Sequence, residues 1–67
     1  MNGFLYRMTY SIYRFDDEDY EHLTRVYLTA YSKSDLQRRI NDFFNKTLKD
    51  NEFAEVHRIQ DVSHRVD

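Results

Sequence analysis

Residues 4–15 read FLYRMTYSIYRF, and this stretch decides the fold of the 67-residue chain. Its even-numbered positions are apolar or aromatic from Phe4 to Ile12, whereas its odd-numbered positions are polar in the middle and apolar at both ends. Alternation with a period of two residues is typical of a β-strand that buries one face. We therefore predict a strand over residues 4–15 whose even face is turned inward.

An acidic segment, residues 16–21 (DDEDYE), interrupts this alternation. Its carboxylates repel one another and favour water, so we predict a loop over residues 16–21 that joins the two strands of a hairpin. The segment contains no glycine, which disfavours a tight two-residue turn of the primed types, and we expect a longer loop. The second strand is predicted over residues 22–31.

Apolar residues spaced by three and four positions predict a helix over residues 34–49. They are Leu36, Ile40, Phe43, Phe44 and Leu48, which form one apolar stripe. Ser34 and Gln37 have the spacing of a capping box at the start of the helix. Because the core of so small a chain supplies only about 3–5 kcal/mol, we expect both phenylalanines to be buried against the sheet.

The last segment, residues 52–62, permits two interpretations. Its apolar residues recur at every third position: Phe53, Val56, Ile59 and Val62. This spacing fits neither a straight helix nor strict alternation. We predict a strand with a bulge near Arg58, which turns Ala54 and Val56 inward before the shift, and a second helix is the alternative.

These elements predict one α+β domain over residues 1–67. The order is ββαβ, with a three-stranded antiparallel sheet of spatial order 2-1-3, one helix packed on its even face, and a tail over residues 63–67. The first strand is expected at the centre because it carries apolar residues on both faces.

Composition excludes several classes of protein. Hydrophobic residues make up 40% of the chain and charged residues 33%, a balance that indicates a globular and not a disordered protein. The absence of cysteine excludes a disulfide framework and a thiolate metal site, so we expect a cytoplasmic location. No apolar run approaches the length of a membrane span and no signal peptide opens the chain, so no membrane association is expected.

The residues that carry chemistry form no motif. His22, His57 and His64 lack the spacing of metal ligands, and the acidic segment lacks the glycine and glutamate positions of a calcium loop. A single glycine, Gly3, cannot form a phosphate-binding loop. We therefore expect no enzymatic activity, no metal and no cofactor.

Aromatic residues carry the functional prediction, because six tyrosines and five phenylalanines exceed what so small a core can hold. Tyrosine and arginine commonly anchor protein interfaces, although cross-strand pairs of the same residues also stabilise an exposed sheet. We predict a protein-binding surface formed by the odd sheet face, the acidic segment, or both. Its residues are Arg7, Tyr13, Phe15, Asp16, Asp17, Glu18, Asp19, Arg25, Tyr27 and Tyr31.

Two other functions remain open. The same aromatics could stack on nucleic-acid bases with help from the arginines and the basic helix face, although the net charge of −2 opposes this. A regulatory homodimer could instead bury two odd faces against each other.

The arrangement of the chain resembles a known family. A hairpin ends in RVYLTAYS at residues 25–32, a helix follows over residues 34–49, and a Phe-x-x-Val strand closes the chain over residues 53–62. This layout is similar to that of the small host-RNA-polymerase inhibitors of T7-like phages. The resemblance implies a compact, non-enzymatic inhibitor or adaptor of phage or mobile-element origin, directed against a host transcription or defence complex. It rests on arrangement alone, so no residue role is transferred.

Overall fold

The computed structural model describes residues 3–63 and has the predicted ββαβ order. The elements are β1 (Phe4–Arg14), β2 (Asp17–Ala30), α1 (Lys33–Thr47) and β3 (Glu52–Asp61). β1 pairs antiparallel with both neighbours, which gives the order β2-β1-β3 and confirms the predicted topology. Of the tail predicted over residues 63–67, only Ser63 is described; it stays beside β1, where its hydroxyl accepts from the Leu5 N–H at 2.6 Å.

The core lies on the even face of β1, as the alternation predicts. Met8 is fully buried, and Tyr10 and Ile12 are buried beside it. From the helix, Leu36 and Ile40 complete the centre of the cluster. A strand flanked on both sides and covered by a helix excludes water from the even side chains between Met8 and Ile12, whereas Phe4 at its start stays exposed.

The phenylalanines of the helix are less buried than the sequence predicts. Phe43 and Phe44 are only half-buried, and their rings meet the Tyr10 ring edge-on at centroid distances of 5.7 and 5.2 Å. The helix lies nearest to β2, so it does not extend over β3. Val56 and Ile59, on the helix side of β3, consequently stay about two-fifths exposed at 40% and 42%.

The helix starts one residue earlier than predicted, because Ser32 and not Ser34 caps it. The Ser32 hydroxyl accepts the Asp35 N–H at 3.1 Å, and the Asp35 carboxylate in turn accepts the Tyr31 N–H at 2.9 Å. This reciprocal pair satisfies two backbone donors at the helix start, where a carboxylate also interacts favourably with the helix dipole. The predicted pair, Ser34 and Gln37, lies within the helix instead, and the helix ends at Thr47.

The hairpin turn is shorter than predicted. Arg14 pairs with Asp17, so the turn consists of Phe15 and Asp16 alone, and β2 begins inside the acidic segment. No residue of 3–63 has a positive φ, so a primed turn is avoided without lengthening the loop. A two-residue turn without positive φ angles does not match the right-handed twist of the two strands that it joins.

A break in register beside the turn accommodates this mismatch. The pairing jumps from Tyr13–Glu21 to Arg14–Asp17, which places residues 18–20 outside the regular ladder. The extra length lets the Tyr20 ring fold back under the Arg14 guanidinium, 3.8 Å from its ring centroid, and pack on the core. Tyr20 therefore belongs to the fold and not to a solvated loop.

β3 carries the predicted bulge. Its pairing with β1 moves from Thr9–Arg58 to Tyr10–Val56, and His57 is the additional residue. The second-helix alternative is therefore wrong. Ala54 lies opposite Ile12 and Val56 opposite Tyr10, on the face that the sequence assigned to them.

Candidate functional site

The sheet face that the helix does not cover, here called the open face, holds the odd-numbered residues of β1 and β2. Strand pairing places Tyr13 between Glu21 and Phe53, and Arg7 between Tyr27 and Gln60. This face therefore combines residues that are far apart in the sequence. Its two ends have different chemistry.

An aromatic cluster, Tyr13, Phe15 and Phe53, occupies the hairpin end of the open face. The rings of Tyr13 and Phe53 stack at 5.3 Å between centroids, and Phe15 lies 4.8 Å from Phe53. The Phe15 N–H donates to the Asn51 carbonyl at 2.9 Å, which fixes the turn against the connection that precedes β3. The cluster is nevertheless open to solvent, since Phe15 is 72% exposed and Phe53 is 41% exposed.

Carboxylates border the aromatic cluster. The Tyr13 hydroxyl lies 3.2 Å from Glu21 Oε2 and 3.2 Å from Glu55 Oε1, and its one hydrogen donates to one of them at a time. Loss of solvent raises the pKa of the Tyr13 phenol above its ordinary value, and the two neighbouring carboxylates raise it further. Tyr13 thus stays protonated and donates to either glutamate beside the rings.

Ser11 continues this network towards the middle of the sheet. It is fully buried although it belongs to the open face, and its hydroxyl lies 3.1 Å from Glu21 Oε2 and 2.8 Å from His57 Nε2. Donation from Ser11 to the glutamate makes His57 Nε2 the donor to Ser11. This is not the arrangement of an activated serine, because the carboxylate contacts the serine instead of the histidine and the hydroxyl is shielded from solvent.

The sequence-predicted contact residues at the hairpin end are brought together. Tyr13 and Phe15 belong to the aromatic cluster, and Asp16 accepts from the Asn51 side-chain amide at 3.3 Å. The other predicted acidic residues are exposed at the start of β2: Asp17, Glu18 and Asp19. These residues and the cluster form one end of the molecule.

The remaining predicted contact residues lie elsewhere. Arg7 is half-buried and donates to the Gln60 side chain, while Arg25 and Tyr27 are exposed on the edge strand β2. Tyr31 lies beyond the end of β2, and its ring centroid is 5.7 Å from the Arg39 guanidinium of the helix.

Tyr31 is therefore not on the open face, contrary to the prediction. The regular part of β2, ten residues from Glu21 to Ala30 at about 3.3 Å each, separates it from the hairpin end. The longest dimension of the molecule is 42 Å, so the predicted contact residues divide between its two ends.

Sequence reasoning missed several residues of this face. Phe53 is absent from the predicted contact residues, yet it lies on the open face because it alternates with the inward-facing Ala54. Once the bulge is accepted, this alternation identifies both Phe53 and Glu55. Nothing in the sequence predicts the contact of Ser11 with His57, because that contact depends on which residue of β3 forms the bulge.

The basic residues of the helix are partly neutralised. Arg38 and Arg39 both form ion pairs with Asp35, whose side chain is only 14% exposed. The Tyr31 N–H, followed by these two arginines, lowers the pKa of Asp35 to about 2. Such pairing reduces the positive charge that a nucleic-acid phosphate would meet on this face.

Within residues 3–63 no group of three or more potential ligands is placed to hold a metal ion. In the same part of the chain, no helix is both long and apolar enough to cross a membrane. Comparison of the chain with models of protein families, with curated proteins and with solved structures finds no match.

Proposed function

We propose that this chain is a small protein-binding module that acts as an inhibitor or adaptor by covering a surface of a partner protein. The exposed aromatic cluster carries this proposal. The resemblance to phage inhibitors supports the class, and it directs the search for the partner to transcription or defence complexes in the cytoplasm of a host cell.

The chemistry of the aromatic cluster suits a protein interface. Large aromatic rings that remain in water gain contact area on binding at little cost in conformational entropy, because Phe15 and Phe53 already hold each other in place. Glu21, Glu55 and the acidic segment provide a charged border around them. The matching partner surface has an apolar pocket bordered by lysine or arginine.

The test is affinity capture with a matched pair of variants. The tagged chain is used to purify its partner from the host, and the affinity of the identified partner is then measured for Phe15→Ala and for Tyr31→Ala. Both side chains are strongly exposed, at 72% and 64%, and they lie at opposite ends of the molecule. Truncation of a hot-spot aromatic residue costs about 2 kcal/mol of binding free energy, which weakens the affinity about 30-fold. We expect that loss for Phe15→Ala and less than about threefold for Tyr31→Ala.

Other results would change the assignment. If Tyr31→Ala weakens binding as much as Phe15→Ala, the contact surface extends over both ends and the cluster is not its centre. If only the charge reversals Asp17→Lys and Asp19→Lys abolish capture, the acidic segment is the contact. Sub-micromolar binding of single-stranded RNA or DNA at physiological salt would overturn the proposal in favour of a nucleic-acid-binding module.

A further inference from the structure

The outer edge of β2 is open to pairing. β2 has 14 residues, and among residues 3–63 no strand lies on its outer side. Proteins commonly protect such edges with lysine, proline or a bulge. β2 contains neither lysine nor proline, and its register with β1 is regular from Glu21 to Ala30. The opposite edge, β3, is interrupted by its bulge at His57.

A basic cleft borders this open edge. It has a volume of about 460 Å³, and its walls are residues 27–29 of β2 together with one side of α1. The helix contributes three cations and one carboxylate to the lining, which are Arg38, Arg39, Lys46 and Asp42. The first residues of the same strand are acidic. β2 is thus acidic where it begins, and the cleft at its end keeps a small positive excess after Asp35 and Asp42 pair with the two arginines.

Because its two ends differ in charge, β2 is electrostatically complementary to a second copy of itself that runs in the opposite direction. We propose that the edge of β2 binds a second copy of this chain, by antiparallel β2–β2 pairing about a two-fold axis at Leu23. The regular part of β2 from Glu21 to Arg25 then pairs with the same residues of the other copy, and the acidic start of each β2 is directed towards the end of the other, where its cleft lies. The result is a continuous six-stranded sheet with both helices on one face.

Symmetry restricts the possible registers. Directly opposed residues of an antiparallel pair point to the same face of the sheet. A two-fold axis perpendicular to the sheet therefore cannot pass between two neighbouring residues of β2, and one residue of β2 must lie opposite the same residue of the other copy. An axis at Arg25 opposes two like charges, which is unfavourable. An axis at Thr24 places Glu21 opposite Tyr27 and leaves Arg25 opposite a leucine.

An axis at Leu23 gives both the charged and the apolar side chains favourable partners. It places the Leu23 side chain, which is 63% exposed in the single chain, against its own copy. It also places Glu21 of each copy opposite Arg25 of the other, which forms two cross-strand ion pairs related by symmetry.

Charge reversal tests the pairing. Sedimentation velocity of the wild-type chain is measured from about 1 µM to about 1 mM, because edge contacts of this size are weak. We expect a concentration-dependent dimer that Glu21→Arg or Arg25→Glu each weakens at least about 10-fold. An equimolar mixture of the two variants restores both ion pairs, so it forms a heterodimer that neither variant forms alone.

Cysteine substitution tests the register, because the chain has no cysteine of its own. Leu23→Cys places two thiols on the axis, where opposed Cα atoms lie about 4.5–5.5 Å apart and suit a disulfide. Tyr27→Cys is the matched control, since Tyr27 is 54% exposed on the same strand. In this register its copy is eight residues away along the strand, about 26 Å. Under mild oxidation we expect Leu23→Cys to form covalent dimers at least about 10-fold faster.

Several results would overturn the inference. They are a monomer at every concentration, a dimer that tolerates both charge reversals, equal disulfide formation at the two positions, and a mixture of variants that stays monomeric. A dimer of apposed open faces also buries Glu21 and Arg25, so the third of these results is the one that identifies it. Capture of an acidic peptide by a strictly monomeric chain produces the first. The inference shares Glu21 with the border of the aromatic cluster. Its failure is still distinguishable from that of the proposed function, because the cysteine test at Leu23 and the binding test at Phe15 use different residues.

Discussion

Replacement of Met8 by alanine tests the location of the core. Met8 is fully buried on the central strand, between Val26 of β2 and Ile59 of β3. The change removes three heavy atoms, whose transfer from water contributes about 0.8 kcal/mol each, or about 2.4 kcal/mol together. A site between two strands and under a helix collapses poorly, and the cavity brings the expected loss to about 3 kcal/mol.

This loss is large relative to the whole stability of the molecule. A core in a domain of this size supplies about 3–5 kcal/mol, so we expect Met8→Ala to be unfolded or close to its midpoint at 25 °C without denaturant. Urea denaturation followed by circular dichroism measures the change, because the chain has no tryptophan. With an m-value of about 1 kcal/mol/M, the midpoint shifts by about 3 M.

Two control variants separate burial from strand pairing. Met8→Leu conserves volume and is expected to lose less than about 1.5 kcal/mol. Ile59→Ala alters the residue directly opposite Met8, but Ile59 is already 42% exposed, so we expect a loss of only about 1–1.5 kcal/mol. A loss for Met8→Ala that is no larger than that for Ile59→Ala would refute the placement of the core on the even face of β1.

Two further predictions concern the start of the helix. Ser32→Ala removes the side-chain acceptor of the Asp35 N–H, and urea denaturation should show a loss of about 1 kcal/mol, whereas Ser34→Ala should lose less than about 0.5 kcal/mol. A larger loss for Ser34→Ala than for Ser32→Ala would restore Ser34 as the cap. The folded pKa of Asp35 is about 2, below the ordinary 3.8, so its contribution to stability is complete above about pH 4 and disappears as the pH falls towards 2. Stability of the Asp35→Asn variant should therefore vary less with pH between 4 and 2 than that of the wild type, and an NMR titration of Asp35 with an ordinary midpoint would contradict the capping geometry.

Much of the fold is predictable because each element is encoded locally. The alternation around Met8 and Tyr10 identifies the buried face of β1, and the stripe from Leu36 to Leu48 identifies the helix. The bulge in β3 is also predictable, since three-residue spacing contradicts both regular alternatives.

The cap and the hairpin turn are less predictable, for the same physical reason. Ser32 with Asp35 and Ser34 with Gln37 have equal spacing, and only the first pair also receives the Tyr31 N–H and two arginines. The hairpin turn closes at Phe15 and Asp16 because Asn51 bonds to both residues from a distant connection. Neither choice follows from local propensity.

The sequence by itself determined the element order, the buried face of the central strand and a surplus of aromatic residues beyond the needs of the core. Only the tertiary structure decided which of those residues meet. Tyr13 and Phe53 stack because β1 pairs with β3 in one register, and Ser11 reaches His57 because the bulge falls at that residue. Register is a property of two paired strands, and a shift of one residue moves every side chain to the other face. Tyr31 continues the alternation of β2 in the sequence, but the strand ends at Ala30 and the helix cap follows at Ser32, so Tyr31 lies beside the helix and not on the open face.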